Sequence, residues 1–143
     1  MIFDETLKLS DDQAITATAA STNVIDLGAT GTVYGAAAAL TRDIGPGQPV
    51  SLLIQVTEAF ATLTSLDIQI ELDSTESFTP DSTIDVQMAV PVASLVAGYK
   101  VPYNFVPDGV NLRYMRLKYT VNGSNATAGK ITAGIVASVQ TNA

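Results

Sequence analysis

The sequence contains no cysteine, no histidine and no tryptophan, and only 15% of its 143 residues are charged. Without cysteine it can form neither a disulfide framework nor a thiolate metal site. Without histidine it also lacks the commonest general base and a principal zinc ligand. Catalysis would have to use carboxylates, Lys, Tyr, Ser or Thr, so we expect a protein that is not an enzyme and holds no cofactor or metal.

Long apolar runs and an export signal are missing as well. No apolar run approaches the roughly 18 to 20 residues of a membrane span. The first five residues include Asp4 and Glu5 and lack the basic start and apolar centre of a signal peptide. We therefore expect a soluble protein that is made without Sec-type export and does not contact a membrane.

Apolar residues are plentiful, at 47% of a chain with the length of one domain, and many of them recur with a period of two. The run 66–73 alternates without an error, and Leu53 is the one apolar residue on the polar side of the preceding run. Shorter strands are predicted on either side of 21–23 and at 99–103. The other alternating runs are 50–60, 84–90, 113–121 and 130–139.

The last two runs flank Asn122-Gly123-Ser124-Asn125, which are typical turn residues. This pattern predicts a β-hairpin with about nine residues in each arm. One face of its first arm is apolar and predicted to be core, and it carries Met115, Leu117 and Tyr119.

About eight strands without a long helix predict an all-β fold, an antiparallel two-sheet β-sandwich of jelly-roll type. An immunoglobulin-like sandwich is the alternative. We assign 14–143 to this single domain and the acidic segment 1–13 to an N-terminal arm that could become ordered only against a neighbour. The Gly/Ala-rich stretch 28–49 is either a loop that closes over a neighbouring subunit or a variable loop. Pro91 should end a strand, and a short helical turn should follow before Gly98.

The net charge of −7 conceals an asymmetry, because residues 1–99 carry −11 and residues 100–143 carry +4. Two readings remain open for the basic C-terminal part. Its side chains either pair with acids of neighbouring strands or form a surface complementary to a partner or to another copy. Nucleic acid is not an expected partner, because an acidic chain repels phosphate. The candidate contact residues are Arg113, Arg116, Lys118 and Lys130.

Six acids in the middle of the chain are expected to form a solvated surface. Strand alternation by itself places three of them on an outer face. A weak cation site and a catalytic carboxylate pair are the alternatives, but the loop acids lack the spacing of an EF-hand. The six are Asp67, Glu71, Asp73, Glu76, Asp81 and Asp85.

Several stretches of the chain resemble a family of tailed-phage capsid cement proteins. The runs 112–121 and 126–136 look like the ending of those sequences, and Phe78 in its Ser/Thr-rich loop is similar to their middle. Two further stretches match: Ile54-Gln55-Val56-Thr57-Glu58-Ala59-Phe60 and Leu95-Val96-Ala97-Gly98-Tyr99.

The resemblance implies a virion protein with a jelly-roll fold, made in the host cytoplasm, that binds the outside of the head shell. It implies a homo-oligomer, a dimer or trimer, that contacts the major capsid protein without binding DNA directly. Charge reversal at Arg116 and Lys118 is then expected to leave folding intact and to weaken shell binding. The alternative is a carbohydrate- or receptor-binding β-sandwich appendage of a virion, which the lack of tryptophan disfavours.

Overall fold

The structure is a computed structural model, and it describes residues 2–139. Over this range the chain is nearly all β, without an α-helix, as the alternation predicts. It also contains no helix with the length and apolar character needed to cross a membrane. The elements are β1 (Phe3–Ala14), β2 (Ala19–Ala20), β3 (Ile25–Asp26), β4 (Leu52–Asp73), β5 (Ser82–Pro91), a 3-10 turn (Val92–Ser94) and β6 (Tyr114–Val136).

The centre of the fold is the antiparallel pair of long strands β4 and β6, which contain 22 and 23 residues. They pair from Leu52 opposite Ile135 to Asp73 opposite Tyr114. Beside β6, β1 pairs with its C-terminal half, and β2 and β3 pair with its N-terminal half. Beside β4, β5 pairs with the C-terminal half, and the segment 98–106 bonds along the N-terminal half. The named strands form one antiparallel sheet in the order β1-β6-β4-β5, with β2 and β3 attached to β6.

The predicted hairpin is wrong, because its turn lies inside β6 and its two arms pair with β4 rather than with each other. Gly123 does take the left-handed conformation that favours glycine in turns, with φ of 85°. Here Gly123 begins a bulge. Gly123 pairs with Leu63, and the next pair is Ala128 with Ala61, so β6 has more residues than β4 between the two pairs. Turns and bulges favour the same residue types, so the local sequence does not distinguish them.

Strand β6 bends strongly at this bulge. The hydroxyl of Tyr119 lies 2.8 Å from Oγ of Ser10, and Ser10 is paired with Ala133. In a straight strand, Tyr119 and Ala133 would be about 46 Å apart, far beyond the reach of a side chain. The two halves of β6 therefore fold toward each other.

Two contacts fix the bend. Gly129 has φ of 136°, and a Cβ at this position would overlap the ring of Phe60. The hydroxyl of Thr62 donates to the carbonyl of Asn125 at 2.7 Å and accepts from the amide of Thr127 at 3.1 Å. The bulge thus has a fixed position on both long strands.

The core follows the predicted alternation in the runs 66–73 and 113–121. It departs from it in β5, where Met88 is 43% exposed, and at the end of β6, where Val136 is buried and Ala137 is exposed. Tyr119 and its neighbours on the inner face of β6 are buried, and the core residues of both halves of the sheet belong to one cluster. Leu53, on the polar side of its strand, is also buried. It pairs with Gly134, beside which the ring of Phe3 lies, so β1 covers this part of the outer face.

The segment predicted as an arm forms β1 and continues the sheet, with Leu9 fully buried. The sheet therefore begins before the domain boundary predicted at residue 14. The other predictions for the connections are confirmed: β5 ends at Pro91, a 3-10 turn follows, and no strand occurs within 27–50. Met1 of the predicted arm and residues 140–143 of the predicted domain lie outside the described residues.

Candidate contact surfaces

Arg113, immediately before β6, is held in a bidentate ion pair with Asp26 of β3. Its Nε and Nη2 atoms donate to the two carboxylate oxygens, each at 2.8 Å. These bonds lower the pKa of Asp26 to about 2. The guanidinium also lies 4.9 Å from the ring centroid of Tyr114. Its charge is therefore already matched within the chain.

Arg116 is more enclosed. Its Nε donates to Glu71 Oε2 at 2.6 Å, and its guanidinium lies 4.1 Å from the ring centroid of Phe78. Phe78 belongs to the loop 74–81, which folds back over this end of the sheet. The side chain of Phe78 is only 8% exposed. The pair is thus covered by an aromatic ring rather than offered to solvent.

The prediction of a solvated acidic surface is wrong for two of the six acids, because Glu71 and Asp73 are buried. Asp73 accepts hydrogen bonds from the amide and hydroxyl of Thr75, at 2.6 and 2.9 Å, and these bonds lower its pKa. Over residues 2–139 there is no group of three or more acidic side chains that could hold a metal ion.

Lys130 lies in the other half of β6, away from Arg113, Arg116 and Lys118. Its ammonium is 3.2 Å from Asp12 Oδ2 and 3.4 Å from Glu58 Oε2. A hydrogen bond from the hydroxyl of Thr57, at 2.6 Å, and the contact with Lys130 lower the pKa of Asp12. Lys130 therefore joins β1, β4 and β6 beside the bend.

Lys118 differs from the other three candidates. It is half-buried between Gln69 and Ala20 on the neighbouring strands, and it makes no ion pair with any residue from 2 to 139. The interpretation that the basic residues pair with acids of neighbouring strands is thus confirmed for three of the four. Lys118 is the candidate whose charge remains available for a partner.

A second surface comes from residues 29–41, which we call the apolar loop. Arg42 fixes its base by donating through Nη1 to the carbonyls of Leu27 at 2.7 Å and Gly28 at 2.9 Å. The amide of Leu40 donates to the carbonyl of Gly31 at 2.9 Å, which closes the loop on itself. The loop is therefore anchored at its base.

Every residue of the apolar loop is exposed, and three of them are large and apolar. Tyr34 is completely exposed, while Val33 and Leu40 are each more than half exposed. The candidate contact residues named from the sequence did not include these three. The signal was present as large apolar residues within a Gly/Ala-rich stretch that has no strand period.

An apolar pocket lies between the start of β1 and the end of β6. It is open to solvent and has a volume of about 400 Å³. Asp4 is the charged residue in its lining. The sequence did not predict this pocket, because it requires β1 to be part of the sheet. Its apolar lining residues include Ile2, Phe3, Leu7, Ile135 and Val136.

Comparison with known families adds a relationship to this geometry. The sequence model of the Bbp16 family matches residues 9–135. The chain belongs to the Bbp16 family. The Bbp16 family is named like a Bordetella phage protein, which agrees with the phage origin expected from the resemblance. The Bbp16 match includes the apolar loop and all four candidate cations, and a search of curated proteins found no match.

Proposed function

We propose that this member of the Bbp16 family is a virion structural protein, a cement protein that binds the outside of the phage head and stabilises junctions between capsomers. The family match over residues 9–135 carries this proposal. The resemblance of the β4 and β6 sequences to tailed-phage cement proteins supports it. Such a protein is not an enzyme and needs no cofactor, because it acts by burying surface across a junction.

The proposed partners are the major capsid protein and other copies of this chain, without a membrane or direct nucleic-acid contact. Many copies acting together reinforce a shell even when each contact is weak. Three of the cations predicted from the sequence already bind carboxylates, so they stabilise the sheet. Lys118 and the apolar loop are the proposed contacts with the shell or with another copy.

We also propose that the bent sheet is a two-layer jelly roll. In chain order it contains eight segments: β1, the β2/β3 track, two halves of β4, β5, the segment 98–106 and two halves of β6. One half of the sheet contains, in order, β1, the C-terminal half of β6, the N-terminal half of β4 and the segment 98–106. The other half contains the β2/β3 track, the N-terminal half of β6, the C-terminal half of β4 and β5. The Tyr119 to Ser10 hydrogen bond supports face-to-face packing of these halves. Closing the ribbon in this way is the arrangement of a jelly roll.

The alternative function, a carbohydrate- or receptor-binding appendage, has one feature in its favour. Tyr103 and Phe105 stack with ring centroids 4.5 Å apart, and Phe105 is 41% exposed. Exposed aromatic rings are typical of sugar-binding surfaces. This surface is small, and the resemblance of the β4 and β6 sequences to tailed-phage cement proteins supports the cement role instead.

The test is co-sedimentation of the purified protein with phage heads that lack it. We expect the wild type to pellet with the heads and Lys118→Gln to pellet less, because a partner carboxylate loses its cation. Gln48→Glu is the matched control, since it makes the same change in net charge on an exposed loop residue. A wild-type protein that stays in the supernatant but binds a glycan array would overturn the cement proposal in favour of the appendage.

A further inference from the structure

Two apolar features of this chain are not covered by any other part of the described residues. The pocket between β1 and β6 opens to solvent, and the apolar loop holds a completely exposed Tyr34. Apolar area that stays in water forgoes about 25 cal/mol for each Å² that could be buried. Clustered exposure of this kind marks interaction sites in soluble proteins, and tyrosine is enriched among the residues that dominate interfaces.

The loop is built to present its tip. Arg42 binds the carbonyls at the base, and the bond from Leu40 to Gly31 closes the loop. An anchored loop loses less conformational entropy on binding than a free one, so more of the contact energy appears as affinity. No residue from 29 to 41 is charged, so its burial requires no charge to leave water.

We propose that Tyr34 of one copy occupies the pocket of a second copy. This deepens the proposed function, on which it rests, by naming the contact through which copies associate. Aromatic side chains bury about 150 to 250 Å² each. A cavity of about 400 Å³ falls within the size of pockets that hold small ligands. The ring of Phe3 and the side chains of Leu7 and Ile135 form the apolar wall that the tyrosine ring would contact.

Asp4 gives the phenol hydroxyl a partner. A buried tyrosine usually needs a hydrogen bond at its polar end. The amide and hydroxyl of Thr6 donate to Asp4 Oδ1 at 2.8 and 2.5 Å, which leaves Oδ2 to accept from a hydroxyl. The pocket therefore offers an apolar wall and one acceptor, as a tyrosine side chain requires.

In its own chain, Tyr34 does not reach the pocket and remains in solvent. The proposed occupant is therefore Tyr34 of a second copy. Each copy carries both the loop and the pocket. The contact is therefore reciprocal in a two-fold pair or repeated head to tail in a closed ring. In either case an intact loop on one copy needs an intact pocket on the next.

The first measurement is the mass by light scattering of the wild type and of three variants with native circular dichroism. We expect Tyr34→Ser and Leu7→Gln to dissociate at least tenfold more readily than the wild type. Val96→Ser is the control, because it removes a half-exposed apolar side chain outside both features. If Leu7→Gln fails to fold, Ile2→Asp replaces it, since Ile2 lines the pocket and is 80% exposed.

The deciding measurement mixes the two variants. In an equimolar mixture, Tyr34→Ser and Leu7→Gln should form mixed pairs that are tighter than either variant alone but weaker than the wild type, because one intact loop then meets one intact pocket. A mixture that associates no more tightly than either variant alone, or a Tyr34→Ser protein as oligomeric as the wild type, overturns the contact. Co-sedimentation with heads separates the two proposals. If the wild type pellets with heads but the mixture of variants does not associate more tightly than either variant alone, the cement role stands and this contact is removed.

Discussion

The N-terminal half of β6 and the apolar loop differ in how their side chains are satisfied. The candidate contact cations predicted from the sequence lie in or just before this strand. Within the chain, however, Arg113 binds Asp26 and Arg116 binds Glu71. The loop carries no charge, and its large side chains lie in solvent. A run of cations in the sequence is therefore not by itself a sign of a free surface, because acids of neighbouring strands can already bind it.

The largest expected contrast comes from the same substitution made in both kinds of region. Gly129→Ala forces a Cβ into the ring of Phe60 at a left-handed φ, so we expect the free energy of unfolding to fall by about 3 kcal/mol. Gly35→Ala in the apolar loop has the left-handed φ of 82° without any atom nearby, and should cost about 1 kcal/mol. Urea denaturation measures both, and equal losses would show that the bend is not tightly packed.

The next contrast compares two cations of the same strand. Arg116→Gln leaves the carboxylate of Glu71 buried without its ionic partner, at an expected cost of about 2 kcal/mol. Lys118→Gln removes no ion pair and should change stability by less than about 0.5 kcal/mol. Chemical denaturation of both variants checks this, and a loss at Lys118 as large as that at Arg116 would contradict the assignment. The earlier expectation that reversal at Arg116 leaves folding intact is replaced by this one.

A smaller contrast compares two tyrosines. Tyr119→Phe removes the hydroxyl that bonds Ser10 across the bend and should cost about 1 kcal/mol. Burial raises the pKa of Tyr119, which keeps this hydroxyl protonated. Tyr34→Phe, in the apolar loop, should leave thermal and urea unfolding of the monomer unchanged, because its ring is completely exposed. A Tyr119→Phe protein as stable as the wild type would mean that the hydroxyl does not hold the two halves together.

The smallest expected effect is on pH dependence. Arg113 lowers the pKa of Asp26 to about 2 from an ordinary value of 3.8. A lowered pKa in the folded state stabilises the fold above pH 4 and loses this contribution as the pH falls from about 4 through about 2. Asp26→Asn should therefore lose less stability than the wild type over that interval. Urea midpoints at pH 5, 4, 3 and 2 measure it, and parallel curves would contradict the ion pair.

The sequence predicts the strands well, because alternation reports burial directly. In the runs 66–73 and 113–121, the residues predicted to face inward lie in the core or pack against it, and the turn after Pro91 forms where expected. What it cannot supply is the partner of each strand. Asn122 and Gly123 favour a turn and a bulge equally, so the predicted hairpin is instead one strand with a bend.

The surroundings of the candidate contact residues were harder to predict, for a related reason. Whether a charged or apolar side chain is free depends on which distant segment covers it. Phe78 covers Arg116 from a loop 38 positions earlier in the chain, while nothing in residues 2–139 covers Tyr34. Composition gives the charge of each segment, but only the folded chain shows which charges are already paired.

The most direct test of the cement role is a cryo-electron microscopy map of phage heads that carry this protein. We expect density for the bent β-sheet on the outer surface of the shell, repeated at the junctions between capsomers, with Lys118 or the apolar loop at a contact. Density for the chain inside the head or in the tail, with bare junctions on the shell, would contradict it.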